Sequence, residues 1–142
     1  SPNYNKWTAQ KDRWKNFDKN IKFANHAKID EHYKESRLNI VDHEGTPFLE
    51  LIGLNLPVIL IQKYEPIDTN AIKYFNILKE VNIFHTDYMS AALHIDSIWD
   101  NVNDWWLSKT TQAAIKEFNN VYSRNTKKPL KKLINILKHQ IN

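Results

Sequence analysis

The residues best able to do chemistry in this chain are crowded between Asp42 and Glu50, in the run Asp42-His43-Glu44-Gly45-Thr46-Pro47-Phe48-Leu49-Glu50. Asp42 and Glu50 are separated by seven residues, with Gly45 between them and Pro57 seven positions after Glu50. In an open α/β sheet, ligands settle at the carboxyl ends of strands, beside the N-termini of the following helices. A glycine there lets backbone approach a ligand. The N–H groups of Thr46, Phe48 and Leu49 would point at an anion, helped by the helix dipole, and a diphosphate is the natural guest. Pro47 contributes no donor and limits that cradle. Glu50, about one turn into the helix, would accept two hydrogen bonds from ribose hydroxyls. Asp42, at the strand tip, would stand near a sugar, with His43 beside it.

Three further residues fall on the expected ligand rim. Lys63 and Tyr64 directly follow an apolar run, where a lysine would neutralise a phosphate and a tyrosine would stack on a base. His85 ends a short β-rich stretch and would either contact a phosphate or base, or serve as a structural cap. The six histidines show no metal-ligand spacing such as H-E-x-x-H, so no metal is expected.

The elements that must hold these residues follow from periodicity. Residues 29–37 suggest a short helix, and 38–42 a strand. For 46–54 a helix is expected, with Thr46 as N-cap, Pro47 in its first turn and Phe48, Leu51, Ile52 and Leu54 as its apolar stripe. Asn55 stands where that helix stops, because Asn tolerates the left-handed conformation. Val58-Ile59-Leu60-Ile61 is apolar on both faces, as a buried parallel strand is. A helix capped by Asp68 or Thr69 follows, then a strand over 82–85, then a helix capped by Thr86. Another helix is expected from Asn103 or Asp104 through Trp105, Trp106, Ala113, Phe118 and Tyr122, and Pro129 opens a last one. Trp99, Trp105 and Trp106 are at helical spacing and suit a core or a lobe interface.

This alternation predicts an α/β fold with a Rossmann-like, doubly wound parallel sheet and a C-terminal helical extension. The expected divisions are a lead-in over 1–28, a Rossmann-like core over 29–102 and C-terminal helices over 103–142.

Bulk properties agree. The chain has 142 residues, 42% of them hydrophobic and 25% charged, which excludes disordered and fibrous classes. With no cysteine, disulfide frameworks and thiol chemistry are ruled out. The net charge of +4 favours anionic partners, and Lys127, Lys128, Lys131, Lys132 and Lys138 crowd the C-terminal end. There is no run of transmembrane length and no visible signal peptide. The expected location is cytoplasmic, with peripheral association at the inner face of the membrane. The start at Ser1-Pro2 reads as a piece of a longer protein.

Residues 42–58, D-H-E-G-T-P-F-L-E-L-I-G-L-N-L-P-V, resemble the E-x7-E region of glycosyltransferases with the two-lobed GT-B fold. Asp42 stands in place of the first Glu, Gly45 matches the Gly, Glu50 the second Glu and Pro57 the Pro. More of the chain resembles the C-terminal portion of a family of transferases in bacterial surface-carbohydrate biosynthesis. The matching pieces are K-x-x-W at Lys11 to Trp14, S-R-L-N-I-V-D-H-E-G-T-P-F-L-E, N-L-P-V-I, Y-F-N-I-L-K-E-V-N-I-F-H, S-A-A, I-W-D-N-V and Trp105-Trp106. The resemblance implies the donor-binding lobe of a glycosyltransferase, moving sugar from a nucleotide-sugar to a surface glycan acceptor. It implies no cofactor beyond that substrate, and a catalytic base on an N-terminal lobe of the same protein. Two rivals follow from the same residues. One is a GT-B sugar-nucleotide epimerase. The other is a non-catalytic basic module for nucleic acid or an anionic membrane face, which the distance of the lysine cluster from the Gly45 turn disfavours; nucleic acid is not an expected partner.

Overall fold

A computed structural model describes residues 10–23, 29–63 and 68–123. Trp7, Tyr64, the lysines of 127–138 and the helix expected from Pro129 lie outside the described residues. The chain divides into two compact units, 1–35 and 36–142. In the first, α1 (Gln10–Phe17) and α2 (Ile29–Glu35) are short helices. Trp14 and Phe17 meet edge to face at 6.4 Å, and Lys11 lies over the Phe23 ring.

The second unit is an α/β layer structure. Its elements are β1 (Asn39–Val41), α3 (Thr46–Gly53), β2 (Val58–Ile61), α4 (Ile72–Glu80), β3 (Phe84–His85), α5 (Tyr88–Ile98), a 3-10 turn (Trp99–Asn101), α6 (Val102–Trp106) and α7 (Lys109–Tyr122). The three strands are parallel in the order β1-β2-β3, with Ile40 opposite Ile59 and Ile61 opposite His85. The right-handed crossovers general to parallel strands put α3 and α4 on one face, where Phe48 of α3 meets Phe75 of α4. Side chains alternate along a strand, and β3 shows both faces at once. Phe84 meets Phe75 of α4 at 5.6 Å, while His85 reaches Ser90 and His94 of α5. The sheet is therefore covered on both sides at β3, as a doubly wound sheet is, while Ile40 of β1 is 56% exposed.

The core lies on the α3–α4 face, where α7 closes it. Phe48, Phe75 and Phe118 pack as a triangle of rings 5.3–6.5 Å apart, and Phe118 is fully buried. Gly53 is needed for this closure: a Cβ there would lie 2.1 Å from Ser123 Oγ, whose hydroxyl donates to the Leu49 carbonyl at 2.9 Å.

Both helix-to-strand turns at the amino edge of the sheet are made by left-handed asparagines. Asn55 (φ 56°) ends α3, as expected, and Asn82 (φ 59°) follows α4. The tandem tryptophans hold these turns. Trp105 Nε1 donates to the Val81 carbonyl at 2.9 Å, and Trp106 Nε1 to the Asn55 carbonyl at 3.0 Å.

Four local expectations are corrected. The helix expected to be capped by Asp68 or Thr69 starts at Ile72, after Ala71, without a side-chain cap. The helix at 46 is capped by Gly45, without a side-chain hydrogen bond, and Thr46 is its first residue. The cap of α5 is Asp87, not Thr86, because its carboxylate reaches Ser90 N at 2.8 Å. The single helix expected from Asn103 to Tyr122 is two, because the Ser108 hydroxyl accepts from Thr111 N and starts a new helix.

Phe118→Ala removes the ring that joins α7 to both crossover helices. It is expected to cost about 3–5 kcal/mol, whereas Val121→Ala on the exposed side of the same helix stays within about 0.5 kcal/mol. Urea unfolding of the two variants checks this.

Candidate functional site

The parallel sheet directs three loops to its carboxyl edge: Asp42 to Gly45 after β1, Gln62 and Lys63 after β2, and Thr86-Asp87 after β3. Most of the residues singled out in the sequence are therefore placed on this edge or on the first turns of α3, with Tyr64 outside the described residues. Each has a distinct local setting.

Asp42 and His43 form a pair at the tip of β1. His43 Nδ1 lies 3.0 Å from Asp42 Oδ1, and since a carboxylate only accepts, Nδ1 carries the proton. The imidazole folds back over the turn, and this explains Gly45. Its backbone (φ −66°, ψ −174°) is open to any residue, but a Cβ would lie 2.7 Å from His43 Nε2 and 2.8 Å from its Cδ2. The glycine makes room for an imidazole of its own chain.

The anion cradle expected at the start of α3 is smaller than its sequence suggests. Phe48 N and Leu49 N both donate to the Gly45 carbonyl, at 3.0 and 3.3 Å. The tight first turn thus consumes two of the three donors, and Pro47 has none. Thr46 remains, exposed, with its N–H and its hydroxyl.

Carboxylates dominate the turn. Asp42 and Glu50 are exposed. Glu44, to which the sequence reading assigned no role, holds its Oε2 out of water with no hydrogen-bond partner. A carboxylate oxygen in that state accepts a hydroxyl readily, because leaving it unpaired is costly. Among the described residues of this edge, Lys63 is the cation, exposed and 5.9 Å from the Tyr88 ring centre. The chemistry on offer is recognition of a polyhydroxylated ligand by several carboxylates, with a lysine and one helix end for an anionic group.

His85 is buried, and both ring nitrogens are engaged within the protein. Nε2–H donates to the Asn82 carbonyl at 3.0 Å, so Nδ1 accepts from the Ser90 hydroxyl at 3.0 Å. That hydroxyl also lies 3.1 Å from the Asp87 carbonyl. His94 packs against His85 and Trp105, at 5.7 and 5.0 Å between ring centres, and its Nε2 is buried without a partner. Nothing in the spacing of 85 and 94 marks them as a pair, since they come from a strand and from the middle of a helix. Asp42 and His43, adjacent in sequence, carried a readable signal for theirs. Among the described residues, no three His, Asp or Glu side chains converge as metal ligands. No helix among them is long and apolar enough to cross a membrane.

Comparison with known proteins places the chain. A family model described as LIC12162 family transferase matches residues 2–137. No curated protein and no solved structure matches it.

The two buried histidines make stability depend on pH. Burial is the largest cause holding both below the ordinary value of 6.5. For His85 the Asn82 carbonyl and Asp87 oppose it, and Lys79 adds to it; for His94 the charge of His85 adds. Below 6.5 the unfolded chain therefore takes up protons that the folded one resists. Stability then rises with pH through this window and falls on acidification. The Asp87 carboxyl, held low chiefly by the Ser90 N–H, acts separately, below its ordinary 3.8. Melting temperature should fall from pH 7.5 to pH 5.5, and the double variant His85→Gln, His94→Gln should show a flatter profile over that range.

Proposed function

This chain belongs to the LIC12162 family of transferases, and we propose that it is the donor-binding part of a glycosyltransferase. On this reading it is the C-terminal lobe of a GT-B fold, and it takes a sugar from a nucleotide-sugar for transfer to a bacterial surface polysaccharide. The observation that carries the reading is the carboxyl edge of the parallel sheet. There the turn 42–45 leads straight into α3, so that Asp42, Glu44 and Glu50 share one end of the fold with Thr46 and Lys63.

The roles follow from chemistry. Glu50 accepts the ribose hydroxyls. Asp42, His43 and Glu44 meet the hydroxyls of the donor sugar, Asp42 holding the imidazole through Nδ1. Thr46 and the end of α3 at Gly45 meet the diphosphate, and Lys63 neutralises part of its charge. Tyr64 is assigned to the base. His85 supports the edge from below through Asn82 and Ser90. A glycosyl donor site needs hydroxyl acceptors that strengthen as positive charge develops on the sugar, and carboxylates at the sugar end supply them. The acceptor glycan and the base that deprotonates it belong to an N-terminal lobe on this reading, and the protein works in the cytoplasm at the inner face of the membrane. No cofactor is invoked besides the nucleotide-sugar.

Glu50→Gln tests the assignment. A hydrogen bond to a charged group contributes about 1.5–3 kcal/mol, so loss of the charge should weaken nucleotide-sugar binding about tenfold or more with the melting temperature unchanged. Calorimetry measures it, with EDTA present in a parallel titration where affinity should be the same. An unchanged dissociation constant for the variant would remove Glu50 from the site.

A further inference from the structure

A second site lies at the opposite edge of the sheet from the carboxylate turn. A cleft of about 570 Å³ opens between the end of α4, α6 and the first half of α7. Its volume falls within the roughly 300–1,000 Å³ of small-molecule sites. Glu80, Asn82, Trp105, Ser108, Thr110 and Glu117 line it together with smaller apolar residues. None of these residues lies on the carboxyl edge.

The lining is partly preset. Trp105 is held by its hydrogen bond to the Val81 carbonyl and by ring contacts with Trp106 at 5.3 Å and His94 at 5.0 Å. Asn82 has a left-handed backbone (φ 59°). A ligand therefore meets an indole whose rotamer needs little ordering on binding, which lowers the entropic cost of association.

The chemistry of the lining narrows the guest. Two exposed carboxylates, Glu80 and Glu117, repel phosphate and other anions. Their polar heads, with the Asn82 amide and the Thr110 hydroxyl, exclude a purely apolar molecule. Among neutral ligands, one that presents several hydroxyl donors and one apolar face fits this lining. A pyranose has both: its hydroxyls donate to carboxylates, and the C–H face of its ring packs on indole. We propose that this cleft is a glycan-binding subsite, taking a short stretch of pyranose chain against Trp105 with Glu80 and Glu117 as hydroxyl acceptors. The assignment stands apart from the nucleotide reading, because the two sites share no residue. They are joined through the backbone: the Val81 and Asn82 carbonyls that hold Trp105 and His85 are adjacent, so occupancy of the cleft should register at His85.

The test is a nitrogen-15 NMR titration of the full chain with trisaccharides of glucose, mannose and N-acetylglucosamine at millimolar concentration, with spermidine as a cationic control. At least one trisaccharide is expected to shift the Trp105 indole N–H, identified with Trp105→Phe, and the amides of Glu80, Asn82 and Ser108 to Glu117. Glu80→Gln and Glu117→Gln should each weaken that binding about tenfold, the loss of one charge-assisted hydrogen bond. Both residues are exposed, so the melting temperature should not move. The proposal is overturned if no trisaccharide shifts these resonances, if shifts appear only on the carboxyl edge, if spermidine shifts them and the sugars do not, or if both Gln variants bind as the parent does. A nucleotide-sugar titration on the same sample reads the other edge, so either site can fail alone.

Discussion

Two indole N–H groups decide how this fold is held. A buried tryptophan must find a hydrogen-bond acceptor, and a helix leaves its last carbonyls without intrahelical partners. Trp105 and Trp106 answer both needs, one at the turn after α4 and one at the turn after α3. Each turn reverses through a left-handed asparagine, a conformation Asn adopts more readily than most residues. The Asn55 side chain is also bonded to Gln112 of α7, and Gln112 in turn donates to the Trp106 carbonyl at 2.8 Å. The amino edge of the sheet is thereby tied to both α6 and α7. The carboxylates and the lysine gather at the other edge, on the loops that follow the strands.

That asymmetry shapes what the protein can bind. The turn before α3 resembles a phosphate cradle in sequence, yet its amides are spent on the Gly45 carbonyl and its neighbours are acidic. Hydroxyl recognition suits it better than a diphosphate held by backbone alone. A nucleotide-sugar meets both demands, because it has hydroxyls at either end and charge only in the middle. Membership of a transferase family fits such a donor.

The fold was largely readable because burial writes itself into composition. Val58 to Ile61 is apolar on both faces because helices cover both faces, and Asn55 before Pro57 announced a helix end. The finer features depend on geometry that spacing does not record. Ser108 interrupts a stretch whose apolar residues keep helical spacing, so one helix became two. Asp87 outcompetes Thr86 as cap because its carboxylate is the one that reaches Ser90 N. Gly45 lies under the His43 imidazole, a contact that spacing does not record. The cleft at Trp105 was invisible, since residues from three segments form it and each has an ordinary helical neighbourhood. Of the three tryptophans at helical spacing, Trp106 is buried, Trp105 is half-buried and Trp99 is exposed, and the spacing did not mark Trp105 and Trp106 as the clasp of two turns.

On the proposed function, the carboxyl edge holds a nucleotide-activated sugar. Hydrogen–deuterium exchange of the chain with UDP-, GDP-, CMP- and dTDP-linked sugars addresses it most directly, because it reports where a donor binds without requiring turnover. The account predicts that one donor slows exchange in peptides covering 42–50 and 61–63 and leaves those covering 105–117 unchanged. Protection confined to 105–117, or none with any donor, would contradict it.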